Sequence, residues 1–189
     1  ELIRQGHQCS VVAMNDKFVM QTENKPQRVG EIVVPALRLP EGISLHDRKQ
    51  KAKEWVKNTN PEWISLQYVP YSFRRKGTPF FFSNLLTQMG EGKKWHFMFH
   101  ELWVGMDRQS SVKNIIWGNI QKNLIISLVR NVKPSVVHTQ IQLYQLKLKK
   151  LGCSAQMLPL FGNISNCNPA TDKVAIVAGT SKKDISLIL

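Results

Sequence analysis

A histidine and a glutamate close an apolar, aromatic run of this chain, and their side chains are well suited to chemistry. The aromatic run that begins at Trp95 ends abruptly in His100 and Glu101. An imidazole, with an ordinary pKa of about 6.5, binds polar ligands or carries a proton. A neighbouring carboxylate orients that ring or accepts a ligand hydroxyl, and helix capping is the alternative role for Glu101. The pair is our candidate catalytic site. The competing interpretation is a histidine held by a backbone carbonyl at a strand end.

The place of this pair along the chain supports the prediction. A buried parallel strand reads as a nearly continuous apolar run, because helices cover both of its faces. In open α/β sheets, ligands bind at the carboxyl ends of such strands. Polar side chains also lie at the ends of other predicted strands. For Thr139 and Asn163, turn formation is the alternative role. The substrate-binding candidates at these strand ends are Gln67, Tyr68, Thr139 and Asn163.

A basic, aromatic loop follows the predicted strand Glu62–Val69. The segment Tyr71–Gly77 places Arg74, Arg75 and Lys76 in succession beside two aromatic side chains. Adjacent cations at a strand carboxyl end suit an anionic ligand, such as a phosphorylated or lipid-linked molecule. A solvated basic loop is the alternative interpretation.

The predicted helices and strands must position these side chains. Strand-like and helix-like segments alternate, which predicts an α/β fold with a doubly wound, mainly parallel sheet. The clearest helix is Val112–Val132, whose apolar residues recur at helical spacing and are expected in the core, and Pro134 ends it. The other predicted helices are Ser44–Asn58, Phe80–Gln88 and Ile141–Leu151. The predicted strands are Cys9–Met14, Glu31–Leu37, Glu62–Val69, Lys94–Phe99, Ser135–Thr139 and Gln156–Phe161.

Composition and charge limit the class of protein. The 189 residues carry 26 Lys+Arg against 13 Asp+Glu, a net charge of +13, which favours anionic partners: phosphates, acidic membranes or nucleic acid. No apolar run reaches the roughly 18 residues that span a bilayer, and the chain opens without the pattern of a signal peptide. The three cysteines lack metal-ligand spacing. These features predict a reduced, cytoplasmic protein without zinc or disulfide.

Several different short motifs lie at the predicted strands and their ends. The run Gly6–Ala13 reads GHQCSVVA, and Leu158–Ile164 reads LPLFGNI. Further motifs are Ser65–Tyr68, Phe99–Trp103 and Val136–Thr139. In this order, the motifs over residues 5–164 resemble the amino-terminal half of bacterial retaining glycosyltransferases of family 4, which have the two-domain GT-B fold. In that family a histidine after a central strand points into the cleft between the domains, and His100 matches it.

The resemblance implies an acceptor-side, Rossmann-like domain over residues 1–164, followed by a linker or donor-domain segment over residues 165–189. It implies transfer of a sugar from a nucleotide-sugar to a cell-envelope or polysaccharide acceptor. The anomeric configuration of the sugar is retained, and no further cofactor is needed. The expected partners are the nucleotide-sugar, a glycan or lipid-linked acceptor, and an anionic membrane surface on the cytoplasmic side. The family's first strand with its glycine-rich loop, and its paired-glutamate donor motif, have no counterpart here. We expect a first strand to precede this sequence.

Two functions from other classes stay open. The charge permits a nucleic-acid-binding α/β domain, although the basic residues are spread over many segments and no recognised nucleic-acid motif occurs. A non-catalytic sugar-binding or scaffolding protein is also permitted, because only half of the family's site is matched. Hydrolysis of a nucleotide-sugar would support the transferase, and salt-sensitive retention of DNA would support the nucleic-acid-binding domain.

Overall fold

The chain has a mixed α/β fold, which confirms the predicted class at that level. The computed structural model describes residues 2–3, 5–73, 77–78, 80–107 and 109–158. Its strands are β1 (Val11–Asp16), β2 (Glu23–Asn24), β3 (Gln27–Val29), β4 (Ile32–Val34), β5 (Ala36–Pro40), β6 (Trp63–Tyr68), β7 (Lys94–Phe99), β8 (Val136–Thr139) and β9 (Gln156–Met157). Its helices are α1 (Leu45–Thr59), α2 (Pro70–Phe73), α3 (Phe82–Met89), α4 (Val112–Val132) and α5 (Gln142–Lys150).

The later strands form a four-stranded, all-parallel sheet in the order β6-β7-β8-β9. Tyr68 on β6 is in register with Phe99 on β7, and Phe99 is in register with Thr139 on β8. The carboxyl ends of these strands therefore lie side by side, along what we name the carboxyl edge. The predicted parallel arrangement of the segments Glu62–Val69 and Lys94–Phe99 is confirmed.

The earlier strands form a smaller sheet, β1-β5-β2, and a separate hairpin of β3 and β4. The prediction of one strand over Glu31–Leu37 is wrong, because Pro35 separates β4 from β5. Proline has no N–H to donate to a ladder. Its carbonyl accepts a hydrogen bond from the backbone N of Val11 at 2.9 Å, where β1 and β5 begin their parallel pairing. Nε of Arg38 lies 2.7 Å from Oδ2 of Asp16 and joins the same two strands.

Serine side chains start the two longest described helices. Oγ of Ser44 accepts from the backbone N of Asp47 at 3.1 Å, and Oγ of Ser111 accepts from that of Asn114 at 3.3 Å. Such caps satisfy N–H groups that the first turn of a helix leaves without partners. The predicted bounds of the second of these helices, Val112–Val132, agree with α4.

The first turns of α4 do not pack in the core, contrary to the sequence prediction. Val112, Ile115 and Ile116 are all exposed, whereas Ile125 and Leu128 are buried. A helix of 21 residues is about 30 Å long. A strand of six residues spans about 20 Å. The helix is therefore longer than the strands of the sheet, and the apolar side chains of its first turns meet solvent.

One face of the parallel sheet carries the hydrophobic core. Successive side chains of a strand point to opposite faces. On β7, Trp95, Phe97 and Phe99 are buried in a cluster to which α1, α3, α4 and α5 all contribute side chains. The members of this cluster that come from β6, β7 and β8 all lie on that one face of the sheet.

The opposite face of the sheet is mainly polar, with the buried Met98 of β7 as an apolar exception. It carries Ser65 and Gln67 from β6, His96 and His100 from β7 and its end, and His138 from β8. A parallel sheet ordinarily has helices on both faces. The described helices α1, α3, α4 and α5 contribute to the core cluster on the first face.

Two further predictions concern the ends of the chain and the membrane. The expected boundary between residues 164 and 165 lies outside the described residues, and β9 is the described part of the predicted strand Gln156–Phe161. No helix in the described part of the chain combines the length and the apolar character that crossing a bilayer requires.

Candidate functional site

His100 lies at the carboxyl edge, among the ends of three neighbouring strands. Its Nε2 is 2.7 Å from Oε1 of Gln67, near the end of β6. Its Nδ1 accepts a hydrogen bond from Nε2 of Gln140, which follows β8. Its backbone N donates to the carbonyl of Tyr68 at 3.1 Å, which continues the pairing of β7 with β6. Both ring nitrogens therefore have side-chain amides as partners, and neither uses a backbone carbonyl.

The two amides decide where the His100 ring carries its proton. The carbonyl oxygen of Gln67 only accepts, so the proton is on Nε2. The NH₂ group of Gln140 only donates, so Nδ1 has none. Burial lowers the pKa of His100, while the charge of Glu101 acts in the opposite direction. The ring is thus held as the neutral Nε2–H tautomer.

Hydrogen bonds continue from Gln67 across the polar face of the sheet. Its Nε2 donates to Oγ of Ser65 at 2.8 Å, and that Oγ lies 2.8 Å from Nδ1 of His96. Nε2 of His96 lies 3.0 Å from Nδ1 of His138 on the next strand. We name this row the strand-face chain; its members are Gln140, His100, Gln67, Ser65, His96 and His138.

The strand-face chain is electrically neutral when its rings are neutral. Burial lowers the pKa of His96, and the adjacent His138 lowers it further. In a neutral pair, one of these two nitrogens carries a proton and donates it to the other, which satisfies both atoms. The polar face therefore offers hydrogen-bond donors and acceptors without a formal charge.

Glu101 is exposed at the carboxyl edge beside His100. Its carboxylate raises the pKa of the His100 ring and so partly offsets the effect of burial. The predicted alternative, a helix cap, is not seen, because the next helix begins at Val112. The carboxylate is free to meet a ligand from solvent.

Two predicted binding residues turn their side chains to the opposite face. Tyr68 is 1 % exposed, its ring centroid is 5.2 Å from that of Phe99, and burial raises its pKa. Thr139 is fully buried, and its Oγ1 donates to the carbonyl of Phe99 at 3.1 Å. Alternation along the strand sends both side chains into the core. The expected cluster of Thr139 with Gln67 and His100 is therefore not formed.

The remaining predicted site residues, Arg74, Arg75 and Asn163, lie outside the described residues, as does Lys76. Within the described ranges, no group of three or more His, Cys, Asp and Glu side chains is placed to hold a metal ion.

A buried glutamine of α4 joins the loops on either side of the site, and the sequence did not point to it. Oε1 of Gln121 accepts from the backbone N of Val104 at 3.0 Å, and its Nε2 donates to the carbonyl of Gly77 at 3.2 Å. Gly118 lies one turn earlier, where an added Cβ would overlap the carbonyl oxygen of Val104. The absence of a side chain there lets α4 approach the loop that follows His100.

Four members of the strand-face chain were also missed, although the sequence carries a signal for them. Polar residues recur two positions apart in otherwise apolar strands, which is the spacing of one sheet face. In the run from Lys94 to His100, Lys94, His96 and His100 keep this spacing, with Met98 as an interruption, and in the run from Val136 to Gln140, His138 and Gln140 keep it. The four missed residues are Gln140, Ser65, His96 and His138.

Comparisons with known proteins add no family to this description: no family model, no curated protein and no solved structure matches this chain.

Proposed function

We propose that this protein is a retaining glycosyltransferase of the family 4 type, and that this chain supplies the acceptor side of its active site. The observation that carries the proposal is the placement of His100 between Gln67 and Gln140 at the carboxyl edge. Ligands of open α/β sheets bind at this edge. The four-stranded parallel sheet is compatible with the Rossmann-like half of a GT-B fold. The doubly wound GT-B architecture is part of the same proposal.

The chemistry of this cluster suits an uncharged ligand rich in hydroxyl groups. Gln67 and Gln140 each carry an acceptor and a donor, and His100 presents an N–H. A sugar hydroxyl both donates and accepts, so it is able to replace Oε1 of Gln67 at Nε2 of His100 and to satisfy the released amide. A buried polar group left without a partner costs about 1–3 kcal/mol. The cluster therefore discriminates against ligands that lack the hydroxyl.

His100 acts in this proposal as a hydrogen-bond donor to the reacting sugar or phosphate. Its pKa is lowered by burial, so the ring is neutral at neutral pH and keeps its proton on Nε2. An N–H aimed at an oxygen on which negative charge develops stabilises the transition state without moving a proton. The exposed carboxylate of Glu101 accepts a second hydroxyl of the same ligand.

Basic residues and exposed apolar side chains of this chain suit an anionic, lipid-linked acceptor at the cytoplasmic face of a membrane. Phe18 and Met20 follow β1 and are 86 % and 95 % exposed, and Val112 at the start of α4 is 72 % exposed. In sequence, Arg74 and Arg75 follow β6 and α2. A cation near an anionic lipid surface contributes on the order of 1 kcal/mol. Peripheral binding of the enzyme to such a membrane follows from these features.

The test is a transfer assay on the full-length protein. It is incubated with a panel of UDP-, GDP- and ADP-sugars and a lipid extract as acceptor source, and release of the nucleoside diphosphate is measured. We expect acceptor-dependent release with one sugar nucleotide, and retention of anomeric configuration in the product by NMR. Absence of release with the whole panel would overturn the proposal.

Two binding measurements on the same protein identify the alternatives. Retention of DNA that is lost at raised salt, without sugar transfer, would indicate the nucleic-acid-binding domain. Glycan binding without transfer would indicate a sugar-binding module.

A further inference from the structure

A cleft of about 170 Å³ lies between α4 and α5. Three of the residues that line it, Ile125, Leu148 and Cys153, are buried. Two others, Arg130 and Gly152, are exposed. The cleft therefore reaches from solvent to the hydrophobic core, and apart from Arg130 and Gly152 its lining consists of aliphatic side chains and one thiol.

The turn that ends α5 leaves this space beside α4. The backbone N of Gly152 donates to the carbonyl of Lys149 at 3.0 Å, and that of Cys153 donates to the carbonyl of Leu148 at 3.0 Å. This pattern is a Schellman motif, and Gly152 has the positive φ of +76° that the motif requires. An added Cβ at Gly152 would meet no atom within 4 Å. A glycine and a small cysteine thus follow the helix, and the corner between α4 and α5 stays open.

The cleft lies away from the carboxyl edge and from His100. Its lining residues come from the second half of α4 and from the end of α5. From these ends the chain passes directly into β8 at Val136 and into β9 at Gln156. The cleft is therefore near the amino ends of these two strands, and it is separate from the site described above.

The part of the chain that forms the cleft carries cations without anions. Between Asp107 and Asp172 the sequence contains no Asp or Glu. Within the described residues, Arg130 has no carboxylate at ion-pair distance. A surface with cations alone attracts anionic ligands. The basic residues of α4 and α5 are Lys113, Lys122, Arg130, Lys147, Lys149 and Lys150.

We propose that this cleft binds a small amphiphilic anion, namely a straight-chain carboxylate whose alkyl part fills the cleft and whose carboxylate pairs with Arg130. The aliphatic lining favours an alkyl chain, because removal of apolar surface from water is favourable. A guanidinium group presents N–H donors in the geometry that a carboxylate accepts. This inference does not depend on the proposed function.

The size of the cleft limits the ligand. An engineered apolar cavity of about 150 Å³ binds benzene, whereas sites for drug-sized molecules have volumes of about 300–1,000 Å³. The cleft, at about 170 Å³, therefore takes a single short alkyl chain.

A series of carboxylates from butanoate to decanoate, each below its micelle concentration, tests the proposal on the full-length protein. Methyl NMR spectra follow Ile125, Val129 and Leu148, which line the cleft. We expect saturable shifts of these methyl groups, with an affinity that rises about fourfold for each added methylene group until the cleft is filled. The absence of shifts at these methyl groups, or an affinity that never levels off with chain length, would overturn the proposal.

The substitution Val129→Leu tests the alkyl site, because it adds a methylene group to the lining. We expect the affinity to level off at a chain about one carbon shorter than in the wild type. Val112→Leu is the matched control, at an exposed position outside the cleft, and should give the wild-type series. Equal series for the two variants would overturn the placement of the alkyl chain. If Val129→Leu does not fold, the wild-type series still decides the proposal.

The substitution Arg130→Gln tests the carboxylate site. We expect the affinity for octanoate to fall about two- to fivefold, the range for an exposed ion pair, while that for neutral octanol stays unchanged. Arg28→Gln, at an exposed position on β3, is the control and should bind octanoate like the wild type. Equal octanoate affinities of the two variants would overturn the pairing with Arg130.

Other ligands give distinct results in the same spectra. Inorganic phosphate that shifts the cleft methyl groups as strongly as octanoate would show that charge alone is recognised, and it would overturn the proposal. Binding to phosphatidylglycerol vesicles without any effect of free octanoate would do the same, in favour of a membrane surface. Octanoate binding by a protein that lacks transfer activity would overturn the proposed function and leave this inference standing.

Discussion

Nε2 of His100 donates to Oε1 of Gln67 across 2.7 Å, and so joins the ends of two neighbouring parallel strands. The same ring accepts from Gln140 at the end of the third strand. The imidazole is thus a fixed part of the carboxyl edge, with a defined proton position. A ligand that reaches this edge meets an ordered set of donors and acceptors, which costs less entropy to engage than mobile side chains do.

Replacement of His100 by alanine is expected to lower kcat for sugar transfer by ~10²–10³-fold, the effect of removing one strong donor to a charge that develops in the transition state. Steady-state kinetics with the active sugar nucleotide measure it. The matched control is His46→Ala, at an exposed position on α1. An unchanged kcat together with a lower melting temperature would make His100 a structural residue.

Thr139→Val is expected to lower stability without a change in kcat. The substitution keeps the shape of the side chain and removes the hydrogen bond from Oγ1 to the carbonyl of Phe99, in the core and away from the polar face. The loss of such a bond costs about 0.5–1.5 kcal/mol in the free energy of unfolding, which urea titration measures. Thr59→Val, at an exposed position of α1, is the control with a smaller effect. A large fall in kcat for Thr139→Val would instead connect this residue to the site.

Gly118→Ala is expected to be destabilising by about 1–3 kcal/mol, the range for overpacking a filled core. The added Cβ overlaps the carbonyl oxygen of Val104, so either α4 or the loop after His100 must move. Gly42→Ala is the matched control, because its Cβ would meet no atom within 4 Å. Equal urea midpoints for the two variants would show that the close contact does not constrain the loop.

The free energy of unfolding is expected to fall as pH decreases from neutrality. The folded-state pKa values of His96 and His100 are lowered by burial, so the unfolded chain, with an ordinary histidine pKa of about 6.5, binds protons first. Stability is therefore present above about pH 6.5 and is lost as the pH falls through that value toward the folded pKa values.

Urea midpoints between about pH 5.5 and 8 measure this dependence, in a range above the ordinary pKa values of carboxylates. The double variant His96→Gln with His100→Gln should show a shallower dependence, and His46→Gln should match the wild type. A urea midpoint that rises as pH decreases would mean that these two histidines do not control stability in this range.

The sequence by itself determined the type and order of the main elements and the place of His100 at a strand end. These features depend on local patterns. Apolar residues at helical spacing and Pro134 define α4, and a largely apolar, aromatic run defines β7. The sequence was less informative where elements are short: Pro35 indicated an edge or a strand end, but not the division of one apolar segment into two strands.

Only the tertiary structure decided which polar side chains share a site with His100. Gln67 and Gln140 are 33 and 40 residues away along the chain, and the register of three strands brings them to one ring. Thr139 ends its strand at the same edge, yet its side chain enters the core, since neighbouring residues of a strand face opposite sides. Local propensity determines a strand, whereas register and the choice of buried face come from the packing of the whole sheet against its helices.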